Sequence, residues 1–124
     1  MANVRDRAIF FPRYTTFAGD DTFTTLPVNV TAYEAGDVTV KIGTIVGPTA
    51  GGSVSAVFEE STDQETWTTC AGSASAVLGS GDEARLTPGL AKAWLRLKVV
   101  VTKGTAGDLP VVTGYATGFL ERRR

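Results

Sequence analysis

A chain of 124 residues, 43% hydrophobic and 20% charged, is long enough to bury one core without disulfides or metals. Its 12 basic and 13 acidic residues leave a formal charge of −1, which argues for neither nucleic acid nor a membrane surface as partner, and no run approaches the roughly 18 apolar residues of a membrane-crossing helix. One cysteine and no histidine exclude an intrachain disulfide, a His/Cys zinc site and any Ser–His–Asp or Cys–His nucleophile.

The opening residues carry Arg5 and Arg7, but their apolar run stops at Pro12, so no secretory leader is expected and folding is expected in a cytoplasm. Residues 1–21 are rich in aromatics (Phe10, Phe11, Tyr14, Phe17) beside Arg5, Arg7 and Arg13. This segment is either a first strand, at 8–14, or an arm that lies on a neighbour. Residues 22–124 form the remaining domain. Phe10, Phe11, Arg13 and Tyr14 are its candidate contact residues.

Beyond the arm, β-branched residues and glycine turns alternate. β-branched side chains suit a pleated, half-buried surface better than a helix. Strands are expected at 22–30, 37–46, 53–59, 66–71, 84–86, 93–102 and 110–120, with at most one helical turn at 90–93. Short strands spaced by turns indicate an all-β, single-domain antiparallel sandwich, jelly-roll or Ig-like, of about seven to eight strands.

Residues 53–70 read as a hairpin. Val54, Ala56 and Phe58 alternate with Ser55, Val57 and Glu59, and Ser61 and Asp63 can bond the backbone amides of the reversal. Trp67 is expected to pack across the hairpin against Phe58. Cys70, at its end, reads as a small buried side chain. The pairs Glu59/Glu60, Asp20/Asp21 and Asp82/Glu83 are neighbours in sequence. On a strand they point to opposite faces, so they are not automatically an acid–base pair. Glu59 or Glu60 with Asp63, or calcium at the Asp20–Asp21 or Asp82–Glu83 loop, are the minor alternatives, the latter without an Asp-x-Asp-x-Asp spacing.

In 93–102, Leu95, Leu97, Val99 and Val101 share an aliphatic face, opposite Trp94, Arg96, Lys98, Val100 and Thr102. Trp94, Arg96 and Lys98 are candidate contact residues; either the basic stems lie over Trp94 in solvent or a partner covers them. In the last strand Val112, Gly114, Ala116 and Gly118 form a row of small residues. That row makes room either for a large residue of the opposing sheet or for a neighbouring subunit. Arg122, Arg123 and Arg124 read as a solvated charged end or as a contact for an acidic neighbour or phosphate.

The runs Phe58–Trp67, Ala93–Val99 and Val111–Ala116 together resemble the small β-sandwich structural proteins of tailed-phage virions, over residues 53–120. The resemblance implies a non-enzymatic head decoration (cement) subunit or a tail or neck accessory subunit, located in the virion. Its partners would be further copies of itself and a major capsid or tail protein. It implies no cofactor and no catalytic residues. The alternative is a carbohydrate-binding adhesive module in which Trp94, Trp67, Tyr33 or Tyr115 stacks on a glycan.

Overall fold

A computed structural model describes residues 4–47, 51–75 and 77–124. Residues 1–3 of the expected arm and 48–50 of the loop before residue 51 lie outside the described residues. Nine strands are present: β1 (Arg5–Ala18), β2 (Asp21–Thr24), β3 (Val28–Asn29), β4 (Tyr33–Val46), β5 (Ser53–Ser61), β6 (Thr68–Ala74), β7 (Glu83–Leu86), β8 (Trp94–Thr102) and β9 (Val111–Arg122). There is no helix among the described residues.

The strands form two antiparallel sheets. One runs in the order β1-β9-β4-β7; the other runs β2-β8-β5-β6, with β3 also paired to β8. Apart from the β2/β3 segment and the β5–β6 hairpin, each step along the chain crosses to the opposite sheet. The two sheets therefore interleave as the double Greek key of a jelly roll. Of the two sandwich types expected from the sequence, the connectivity is that of the jelly roll.

The ninth strand arises where one was expected at 22–30. Thr24 pairs with Lys98 and Val28 with Leu95, so this side gains one residue over its partner between those points. Pro27 cannot donate to the ladder there, and Leu26 is thrown outward, 86% exposed. Thr25 bridges the interruption: its backbone amide donates to the Leu97 carbonyl and its Oγ1 accepts the Leu97 amide.

The core lies between the sheets. Val38, Val40 and Ile42 of β4 face Leu95, Leu97, Val99 and Val101 of β8 across it, all essentially inaccessible to solvent. Strict period-two alternation puts these residues on one face of each strand. The small-residue row of β9 points the same way: Val112, Gly114 and Ala116 are buried in the interior. Two of its glycines answer a second constraint within the sheet. A Cβ on Gly114 would collide with the Lys41 carbonyl and one on Gly118 with the Asp37 carbonyl of β4. The row thus admits the adjacent strand and the core, and Val112, Gly114 and Ala116 are sealed away from any neighbouring subunit.

Residues 5–18 are the first strand of the four-stranded sheet, paired along β9 from Arg5 with Glu121 to Ala18 with Val111. Its register slips twice. Phe10 is an extra residue between the pairs Ile9–Thr117 and Phe11–Ala116, and Pro12–Tyr14 bulge out before Thr15 meets Gly114. The first slip turns both Phe10 and Phe11 inward. Phe11, expected at a contact surface, is 4% exposed in the core, edge-on to Phe17. Phe10 packs edge-on against Phe58.

Candidate interaction faces

The outward face of the five-stranded sheet carries Trp94, Arg96 and Lys98, and its charges satisfy one another. Arg96 donates from Nε and Nη2 to Glu59 Oε1 at 3.0 and 2.9 Å, and Lys98 Nζ lies 3.4 Å from Glu59 Oε2. Both carboxylate oxygens are thereby occupied, and Glu59 is only 8% exposed. The Arg96 guanidinium lies 4.2 Å from the centroid of the Trp67 ring. The basic stem expected over Trp94 therefore lies over Trp67. Trp67 is also not the cross-strand partner of Phe58, which faces the opposite way, into the core. With a guanidinium on one ring face, Trp67 has only its other face left to offer a sugar.

The hairpin turn beside this face is held as its residue types require. Ser61 Oγ accepts the amides of Asp63 and Gln64, and Asp63 Oδ1 accepts those of Glu65 and Thr66, both at 2.9 Å. These amides, Thr66 first and then Glu65, with the Ser61 hydroxyl, hold the Asp63 carboxyl below the ordinary aspartate value. Glu60 faces inward, unlike Glu59, and its Oε1 accepts the amides of Ala91 and Lys92 at 3.0 and 3.1 Å. The pair is split between two structural tasks. Cys70 is 2% exposed, and burial, reinforced by the charges of Glu60 and Glu59, pushes its thiol up to about 12. Among the described residues no cluster of three or more His, Cys, Asp or Glu side chains is placed to hold a metal ion.

The end of the chain is tied in as well. Arg122 belongs to β9 and donates to Asp6 Oδ2 at 2.8 Å, and Tyr33 Oη donates to the same oxygen. Arg123 donates to the carbonyls of Thr31 and Leu90. Of the three terminal arginines, these two fasten β9 to β1 and to neighbouring turns; Arg124 is exposed.

The outward face of the four-stranded sheet is different. A shallow groove of about 690 Å³ crosses β1, β9, β4 and β7. Its apolar floor includes Ile9, 58% exposed, and Phe119, 46% exposed, with Tyr115 at one end. Arg13 stands over Tyr115, 5.4 Å from the ring centroid, and Arg7 lines the same groove. Arg85 is neutralised by a two-bond pair with Asp37 at 2.8 and 2.7 Å. A second recess of about 290 Å³ adjoins at Arg13 and Tyr115 and includes Tyr14 and Lys41. Tyr14 sits at the apex of the β1 bulge with φ of 65° and is 84% exposed. A left-handed conformation is costly for a tyrosine, and such strain collects at functional positions.

Arg13 and Tyr14 are thus brought onto one face, while Trp94, Arg96 and Lys98 lie on the opposite one. Sequence reasoning passed over Ile9 and Phe119 as members of a contact face, and offered Tyr115 only as a ring on which a glycan could stack. The signal for them was in β9: opposite its small-residue row stand Tyr115 and Phe119, large side chains on the side that the core does not use.

No family model matches the chain, and no curated protein matches it in sequence. Solved structures with its fold do exist. The VP2 subviral particle of infectious bursal disease virus aligns with a TM-score of 0.68 at 16% identity, covering 98% of this chain and 33% of that one. The structure of the Gx strain of the same virus aligns with a TM-score of 0.67 at 15% identity, covering 98% and 32%. The chain therefore spans about a third of the length of these viral proteins. The SPBc2 prophage-derived protein YomS matches over 94% of this chain at a TM-score of 0.45 and 14% identity, too low to define a common fold. The likeness is to a viral jelly roll and is not specific to tailed phages.

Proposed function

We propose that the chain is a non-enzymatic structural subunit of a virus particle, a decoration subunit that docks on a shell and stabilises it through repeated contacts. The observation that carries this reading is the jelly-roll connectivity, which occupies nearly the whole chain and superposes on proteins whose structures are of viral particles.

The edges of the sandwich support docking through a face. β1, the long edge strand of its sheet, carries Pro12, two bulges and the charged run of Arg5, Asp6 and Arg7; β7, at the other edge, has four residues. Such features discourage pairing with a strand of another chain. The exposed Ile9, Tyr14 and Phe119 leave the outward face of the four-stranded sheet as the natural contact surface.

Quantitative mass spectrometry of particles purified on a density gradient from the source of this chain tests the reading. The chain is expected to band with the particles in many copies per particle. Its absence from the particle band, with the protein present only in the soluble fraction, would overturn the proposal.

A further inference from the structure

Resting on the reading of the chain as an assembly subunit, we infer that the groove on the outward face of the four-stranded sheet docks an acidic protein segment bearing apolar side chains, seated between Arg7 and Arg13. Charge supplies the first argument. Arg5, Arg85, Arg96 and Arg122 each have a carboxylate partner. Among the described residues Arg7, Arg13, Arg123 and Arg124 have none; Arg123 is tied to the Thr31 and Leu90 carbonyls and Arg124 lies past β9, whereas Arg7 and Arg13 both line this groove. In a protein of net charge −1, two uncompensated guanidinium groups on one face are a local excess that an acidic partner would complement.

The floor supplies the second argument. Ile9 and Phe119 offer aliphatic and aromatic area beside those arginines, with Tyr115 under Arg13. Apolar anchors ringed by arginine and tyrosine are the composition of protein contact surfaces. A groove that follows a nucleic-acid backbone neutralises successive phosphates and needs a longer run of cations than Arg7, Arg13 and the neighbouring Lys41, whose Nζ already donates to the Gly81 carbonyl.

The groove is testable without the particle. The probe is a labelled extended peptide in which Glu alternates with Leu and Phe, titrated at low ionic strength into the isotopically labelled protein, with its Lys-for-Glu counterpart as control. The Glu peptide is expected to shift the amides of β1, β4 and β9 and the Lys peptide to shift none. The double substitution Arg7→Glu/Arg13→Glu, whose amide spectrum reports directly whether it folds, is expected to weaken binding about tenfold or more, whereas Lys103→Glu is not. The single variants Arg7→Ala and Arg13→Ala are expected to lose part of that affinity, and they test the groove if the double variant does not fold.

No binding of the Glu peptide, affinity indifferent to both arginines, or shifts centred on Trp94 and Lys98 would overturn the inference. So would a thymidine oligonucleotide that binds the same groove more tightly than the peptide, which would mark a nucleic-acid site. Self-association abolished by the double substitution would also overturn it, by making a second copy the occupant. A chain absent from particles that still binds the peptide in this groove loses the particle and keeps the groove; a particle-borne chain that fails the peptide test does the reverse.

Discussion

Phe10 of β1 meets Phe58 of β5 edge-on, with ring centroids 4.8 Å apart at an interplanar angle of 72°. The contact joins the two sheets: Phe10 keeps the inward phase of Ala8, and the bulge that follows Ile9 turns Phe11 inward beside it. Phe58 is wholly buried. Phe58→Ala should therefore destabilise the fold by about 3–5 kcal/mol, the usual cost of emptying a buried phenylalanine site. Phe10, half-buried, should cost less on the same substitution. Urea unfolding of both variants checks the order.

Gly118 lets β4 approach β9. Gly118→Ala should destabilise by about 1–3 kcal/mol, because the new methyl meets the Asp37 carbonyl, backbone that cannot swing away. Gly89→Ala should stay within about 0.5 kcal/mol, since a Cβ there meets nothing within 4 Å. Chemical denaturation of the two variants separates steric need from glycine's general flexibility.

Acid should loosen the protein through the carboxylates that are hydrogen-bonded when folded. Asp63 is held below 3.8 by the amides of Thr66 and Glu65, Asp6 by Tyr33 and Arg122, and Asp37 by Arg85. A depressed folded value means the contribution is present above the unfolded value and lost as pH falls through the folded one. Stability should hold from neutrality to about pH 4 and decline below it, with Asp63→Asn showing a shallower decline. Thermal unfolding across this range checks the slope; a decline that begins near neutrality would contradict it.

Cys70 should behave as an inert core residue. With its thiol raised to about 12 and its side chain sealed, it should resist a thiol reagent at pH 8 in the native protein and react at once in denaturant. Rapid labelling of the native protein would show that β6 opens.

The alternating strands were legible because one face of each is buried. Residues 53–59 and 93–102 show it plainly, since their inward side chains are all apolar. β1 was not legible in full: two bulges break its period, so the adjacent Phe10 and Phe11 both turn inward where alternation would have sent one out. The start of β4 was hidden because Gly36 looks like a turn, whereas it pairs with Leu120 and lies against Pro88. The partner of Trp67 could not be read either. Arg96 reaches it from β8 only after the sheet has formed, and no local spacing announces that contact. The groove depended on the same long-range pairing, which places Arg7, Arg13, Tyr115 and Phe119 side by side from strands far apart in the chain.

The central claim is that the outward face of the four-stranded sheet, and not the Trp94 face, is the contact surface of an assembly subunit. Hydroxyl-radical footprinting of the chain in purified particles and free in solution tests it most directly. The account predicts that Tyr14, Tyr115 and Phe119 become protected in the particle while Trp67 and Trp94 keep their free reactivity. Protection of the tryptophans with Tyr14 and Tyr115 still fully reactive would contradict it.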